Sequence, residues 1–362
     1  MDLAGGLVRA GHRVEVVYSP VRSEPVFLER LRSLPGVVTH SIPMQRAPHP
    51  SDLGVRRQLR GIVRGRGPWD IVHVHSTKAG LVGRGLGDLV GAATVYTPHC
   101  LYTMNPDLGR VGRWTIGSLE RALAPSTDAI IAVSPDEQEH ARAGGLNPRN
   151  LVCIPNGVAE LDWENRQTAR GRLGLDASQP LVGFIGRLSA QKDPLRLLDV
   201  FARLRRNRPD LGLAVAGTGP LESEARSHAA KLGLEPCVHW LGHQAPEHLL
   251  PAIDVLCMPS RYEGMPYVLL EAGAAGVPIV CPPVGGASLC VRPDNGTITG
   301  DWSIDGLAAA LGVWLDDPAG RARVRSGGAD FAAEFGIDVM VERTVELYRS
   351  LRADPLSGAV AQ

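Results

Sequence analysis

No stretch of the chain approaches the roughly 20 consecutive apolar residues that a membrane-spanning helix needs, so the sequence offers no candidate for one. The first twenty residues carry Asp2, Arg9, Arg13 and Glu15 and no apolar block, which does not read as a signal peptide, and a cytoplasmic location is the expectation. Cysteine is scarce. The six thiols Cys100, Cys153, Cys237, Cys257, Cys281 and Cys290 form no C-x-x-C pair and sit mostly in apolar contexts, which speaks for buried reduced thiols over disulfides or zinc ligands. No Asp-x-Asp pair stands at a strand end and no His/Asp cluster has metal-ligand spacing, so no metal is expected. No G-x-G-x-x-G follows a first strand with an acidic residue about 20 positions on, which disfavours a dinucleotide oxidoreductase. Net charge is also lacking, with 38 cations against 38 anions; residues 1–150 hold 18 against 13 and the remainder 20 against 25. A basic first half and an acidic second half result, a difference too small to suggest nucleic acid.

What the chain does have is 362 residues, 44% apolar and 21% charged, an ordinary globular composition long enough for two domains. Short β-branched runs alternate with longer helical segments: Val14 to Tyr18, Ile71 to His75, Ala93 to Thr97 and Ala129 to Val133. The pattern restarts with Leu181 to Ile185, Leu213 to Ala216, Val238 to Leu241, Val255 to Met258 and Pro278 to Cys281. Alternation of this kind means a parallel sheet covered on both faces, here twice. The polar stretch Glu160 to Gln179 lies between the two halves, which predicts domains over 1–160 and 161–340. Val341, Val345, Tyr348 and Leu351 recur at helical steps and predict an amphipathic helix over 341–353 packing on one of the domains, the N-terminal one included. Residues 354–362 read as a disordered tail. At the other end, Leu3 to Ala10 already reads as a helix that stops at Gly11, so the first strand of a doubly wound domain and its glycine-rich turn are expected to be missing through a misassigned start or a truncation.

Two segments of the second half carry charge where an open α/β sheet binds anions. Strand Leu181 to Ile185 runs into Gly186-Arg187-Leu188-Ser189-Ala190-Gln191-Lys192-Asp193-Pro194 and a helix N-terminus, where arginine and lysine are suited to clamp phosphates. The segment Pro259 to Ala272 holds Glu263 and Glu271 seven residues apart with Gly264-Met265-Pro266 between them. Pro266 suits a first helical turn whose free N–H groups point at an anion, and the carboxylates suit sugar hydroxyls. The bland alternatives are solvated surface charges and a surface ion pair.

These two segments, the turn Ala216-Gly217-Thr218-Gly219-Pro220, the runs His73 to Gly80 and Tyr96 to His99, and Ile154-Pro155-Asn156-Gly157-Val158 together resemble glycosyltransferase family four of the GT-B superfamily over nearly the whole chain. The resemblance implies two Rossmann-like domains facing across a cleft, with Ile154 to Val158 as a hinge-side strand. It implies that Arg187 and Lys192 hold a donor diphosphate beside Gly186, that Glu271 binds ribose, and that Glu263 with Gly264, Met265 and Pro266 grips the donor sugar. Gly217 and Gly219 would let a nucleotide lie against bare backbone. His99 matches the family's histidine beside the donor sugar; Cys100 replaces the glycine usually next to it, and cysteine accepts positive φ poorly. His73 and His75 read as structural histidines at a strand end.

The implied activity is a retaining, metal-independent hexosyl transfer from a UDP- or GDP-sugar to a glycan or lipid-linked acceptor in polysaccharide or glycoconjugate synthesis. A nucleotide-sugar epimerase and an inactive GT-B-like binding protein are the alternatives. The basic run Arg56, Arg57, Arg60, Arg64 and Arg66, interleaved with Leu59, Ile62 and Val63, reads either as a solvated helix face or as a peripheral contact with the inner face of a membrane.

Overall fold

The computed structural model describes residues 1–21, 25–45, 48–146 and 150–353; the tail read as disordered lies outside the described residues. Among the described residues twelve strands run in chain order: β1 Val14–Tyr18, β2 Val37–Ser41, β3 Ile71–His75, β4 Ala93–Thr97, β5 Ala129–Ala132, β6 Asn150–Cys153, β7 Leu181–Ile185, β8 Gly212–Ala216, β9 Val238–Gly242, β10 Val255–Cys257, β11 Ile279–Cys281 and β12 Gly296–Ile298. The chain divides into two compact units, one formed by Met1–Gly157 with Ile337–Gln362, the other by Val158–Gly336. Every named strand pairing is parallel.

In the first unit β1 pairs with β2, and a separate sheet runs β3-β4-β5-β6. One face of that sheet, through Ala93, Val95, Ala129 and Ile131, packs against Met340, Val341, Val345, Leu347 and Leu351 of the helix Ile337–Ala353 and against Leu3 and Leu7 of the helix Asp2–Arg9. Gly6 is buried where those two helices meet, and a Cβ there would collide with Val341. The last helix begins four residues before Val341, because Ile337 and Met340 share its apolar face. The hinge segment read as a strand is not one: β6 ends at Cys153, and Ile154–Gly157 continues as irregular chain that enters the second unit at Val158.

The second unit is one six-stranded sheet in the order β12-β11-β10-β7-β8-β9. Its central strands are apolar throughout, with four of five residues of β7 and all of β8 buried, as a sheet covered on both faces requires. Phe184, Val215 and Leu213 meet Leu197, Phe201 and Leu204 of the helix Pro194–Arg205. Pro194 begins that helix without losing a hydrogen bond, and Asp193 caps it by accepting the Arg196 N–H at 3.2 Å.

Candidate functional site

β7 continues through its helix to β8 on one side, while β10 continues to β11 on the other. Neighbouring strands whose connections leave in opposite directions open a crevice at their carboxyl ends, the place where open α/β sheets bind ligands. The segments 186–193 and 258–266 leave at this point. Arg187 is exposed and has no hydrogen bond or ion pair among the described residues. Lys192 Nζ lies 2.6 Å from Glu263 Oε1 across the two loops. Gln191, which sequence reasoning passed over, fastens the loops together: its amide donates to the Tyr262 carbonyl at 3.0 Å, and its own carbonyl accepts the Arg261 N–H at 2.8 Å.

The glycines also have a local structural reason. Gly217 has φ 135°, and a Cβ on it would collide with the Gly186 carbonyl; one on Gly219 would collide with the Leu188 carbonyl. Gly186 N–H donates to Ala216 O and Leu188 N–H to Thr218 O, both at 3.0 Å, so the turns after β7 and β8 pack backbone against backbone. A second close approach was not foreseen. Gly286, with φ 75°, would carry a Cβ 2.8 Å from Met265 Cα, which lays the turn after β11 directly under Gly264 and Met265.

Pro266 is the N-cap of the helix Tyr267–Ala274, not a residue of its first turn: its backbone is extended (ψ 129°) while its carbonyl accepts the Leu269 N–H at 3.1 Å. Pro266 supplies no side-chain cap, and the helix N-terminus is the end that favours negative charge. Val268, Leu269, Leu270 and Ala272 anchor the helix in the core, and Glu271 is half-buried on it. Ser260 is fully buried with its hydroxyl unpartnered, and its carbonyl accepts Trp302 Nε1 at 3.2 Å. Arg187, Lys192, Glu263, Gly264, Met265, Pro266, Gly186, Gly217 and Gly219 thus belong to loops at the carboxyl ends of the interior strands β10, β7 and β8, with Glu271 on the helix that one of them feeds. A cavity of about 570 Å³ elsewhere in this unit, lined by Arg292, Asp294, Trp314 and Asp330 among others, contains none of them.

His99 belongs to the first unit, in the turn after β4. His99 (φ 58°) and Cys100 (φ 123°) both have positive φ, so the cysteine that replaces the family's glycine takes up a conformation that cysteine accepts poorly. Glu137 holds the turn: its carboxylate accepts the N–H of Cys100 at 2.7 Å, of Leu101 at 2.8 Å and of Val133 at 2.9 Å. His99 Nε2 meets His75 Nδ1 at 2.9 Å. Burial among dense protein lowers the pKa of His99 to about 4 and that of His73 to about 3, and lowers His75 well below the ordinary value.

The arginine run forms the helix Asp52–Arg66, but its apolar side is turned inward and two of its cations are engaged by the protein itself. Val55 and Val63 are buried, Leu59 and Ile62 pack against Ile42 and Val82, Arg56 donates to the carbonyls of Val82 and Arg84, and Arg66 donates to Glu15. Arg57, Arg60, Arg64 and Arg66 are exposed, and of these Arg66 is paired with Glu15. Among the described residues no helix is long and apolar enough to cross a membrane, and no group of His, Cys, Asp and Glu is arranged to hold a metal.

A crevice at a sheet's switch point, edged by two cations, two carboxylates and a helix N-terminus, is the setting in which open α/β sheets bind anionic ligands. Residues 1–157 match the glycosyl transferase 4-like domain and residues 165–330 match the glycosyl transferases group 1. The chain belongs to the GT-B glycosyltransferases of family four. It is 30% identical over 314 residues to a D-inositol 3-phosphate glycosyltransferase of Corynebacterium urealyticum, covering 80% of this chain and 73% of that protein. It is 26% identical to a glycogen synthase of Mycobacterium tuberculosis, covering 82% and 72%. Among solved structures the fold is shared with the sucrose-phosphate synthase of Thermosynechococcus elongatus (TM-score 0.79, 23% identity, 97% and 92% covered) and with HepE of Anabaena in complex with UDP and glucose (0.81, 21%, 96% and 94%).

Proposed function

We propose that the chain is a retaining, metal-independent hexosyltransferase that takes a UDP- or GDP-sugar as donor and a glycan or lipid-linked molecule as acceptor, in polysaccharide or glycoconjugate synthesis. The observation that carries this reading is an exposed Arg187, partner-free among the described residues, in one loop with Lys192 beside the loop that feeds the helix Tyr267–Ala274. HepE, a structural relative, is described in complex with UDP and with UDP-glucose, which favours a uridine donor.

In this reading Arg187 and Lys192 bind the donor diphosphate and stabilise the charge that grows on it as the bond from the anomeric carbon breaks. An ammonium has three N–H donors, and one is engaged by Glu263, so two remain for phosphate oxygens. Glu271 is assigned to ribose and Glu263 to the donor sugar, with Gly264 to Pro266 as its floor; the resemblance assigns His99 to that sugar as well. The acceptor oxygen attacks the face the diphosphate leaves, and a departing phosphate oxygen takes the acceptor proton, so configuration is kept without a protein nucleophile. Of the arginine run, only Arg57, Arg60 and Arg64 are available for the anionic surface anticipated there.

Calorimetric titration of the chain with UDP, GDP and ADP in chelator tests the donor class, and the anomeric configuration of the product, read by NMR, tests retention. Selective binding of one diphosphate and a product that keeps the donor's configuration are expected; an inverted product or a strict divalent-ion requirement would overturn the proposal.

A further inference from the structure

β3 carries His73 and His75, which the sequence marks only as strand-end histidines. The fold turns them into a graded support for a third imidazole. His73 has both ring nitrogens engaged, Nδ1 with the Tyr348 hydroxyl at 2.5 Å and Nε2 with Thr97 Oγ1 at 2.7 Å. His75 lies against it with ring centroids 4.0 Å apart. His99, carried by the positive-φ turn that Glu137 holds, meets His75 edge to edge through Nε2, with ring centroids 5.2 Å apart and only 20° between the ring planes. Among the described residues His99 Nδ1 has no hydrogen-bond partner, and the ring it belongs to is exposed.

We propose that His75 is a positioning residue for the transfer: by engaging Nε2 of His99 it fixes the ring and leaves Nδ1 as the nitrogen that His99 offers to the donor sugar. This rests on the assignment of His99 to that sugar. One imidazole N–H serves a contact between two imidazole nitrogens, so a neutral pair satisfies it and a doubly protonated pair does not. The titratable groups that face the pair are His73 on β3, Tyr348 behind it on the helix Ile337–Ala353, and the N-terminal amine, whose charge disfavours protonation of both rings.

The test uses the full chain with His75→Ala, His75→Asn, His75→Gln and His99→Ala, reading kcat, KM for the nucleotide sugar, the dissociation constant for UDP, and the pH profile of kcat. An asparagine amide reaches the position of imidazole Nδ1, whereas a glutamine amide reaches that of Nε2. His75→Ala and His75→Gln are expected to lower kcat about tenfold, the worth of one hydrogen bond, and His75→Asn to restore most of it. UDP binding should stay within about twofold of the parent in all of them, since the residues assigned to it lie in the other unit. In His75→Ala the acid limb of the profile should move up, toward the ordinary histidine value of about 6.5, because the freed His99 ring gains water. An unchanged kcat and profile in His75→Ala, with His99→Ala impaired, would overturn the positioning role, as would His75→Asn performing no better than His75→Gln. Parent-level activity in His99→Ala would overturn the underlying assignment of His99 on its own.

Discussion

Lys192 and Glu263, 71 residues apart in sequence, are 2.6 Å apart in the fold, with side chains only 18% and 8% exposed. The cation expected to meet phosphate and the carboxylate expected to meet sugar therefore form one unit before any donor arrives. Truncation to Lys192→Ala removes a phosphate ligand and also strands a shielded carboxylate. We expect a loss of UDP affinity of about 10- to 100-fold and of about 1–3 kcal/mol in unfolding free energy, less than for a wholly buried pair. The double variant Lys192→Met with Glu263→Gln should regain the stability but not the affinity. Denaturant titration and calorimetry separate the two, and a double variant that binds UDP like the parent would sink the diphosphate assignment.

Gly217→Ala probes the floor of the crevice. At φ 135° a side chain is strained wherever it points, and here it would also meet the Gly186 carbonyl. A loss of about 2 kcal/mol or more is expected, with UDP binding lost because the Arg187 loop is displaced. Gly233→Ala is the control. Its φ is 69° and nothing lies within 4 Å of the added Cβ, so the cost should be about 1–2 kcal/mol with binding intact. Equal effects in scanning calorimetry and titration would argue against a loop-to-loop contact.

The strand runs were readable in sequence through their β-branched residues: β1, β3, β4 and β7 lie where those runs placed them, although only β4 and β7 are buried nearly throughout. β2, β6 and β12 escaped. Val37-Val38-Thr39-His40-Ser41 and Asn150-Leu151-Val152-Cys153 mix polar residues into short strands at the margins of their sheets, and Gly296-Thr297-Ile298 is three residues long. The site's charged residues were legible through their spacing within single loops. Gln191, Ser260, Gly286, His75 and Glu137 were not, because each acts on a segment distant in sequence, and no local pattern records a contact of that kind. The sequence signal nearest to one of them was Ser134-Pro135-Asp136-Glu137, a capping box: Ser134 accepts the Glu137 N–H at 3.2 Å, but the Glu137 side chain turns away to the 99–101 turn.

Glu137→Gln tests that turn. A carboxylate offers oxygens to three backbone N–H groups; an amide offers one oxygen, and its NH₂ opposes the remaining donors. Stability should fall by about 2 kcal/mol, and kcat should fall further than UDP affinity because the turn carries His99. Thermal unfolding together with kinetics checks this, and a variant with parent kcat would detach the turn from catalysis.

Glu15 predicts how the first unit meets acid. Its side chain, on β1, is only 4% exposed; Oε1 accepts from Arg13 at 2.7 Å, while Oε2 accepts from Arg66 at 2.7 Å and faces His40 Nε2 at 2.8 Å. Burial alone would raise its pKa, but the hydrogen bonds from Arg66, Arg13 and His40 outweigh it and bring the value from 4.5 to about 2. A carboxyl whose folded pKa lies below its unfolded one stabilises the fold fully above the unfolded value and loses that contribution as the pH falls toward the folded one. The window here runs from 4.5 down to about 2. Glu15→Gln should therefore unfold at lower temperature than the parent at neutral pH, and the two melting curves should converge as the pH drops through that window. Melts recorded at constant ionic strength decide it: a gap that stays constant with pH would show that Glu15 contributes through packing, not through its charge.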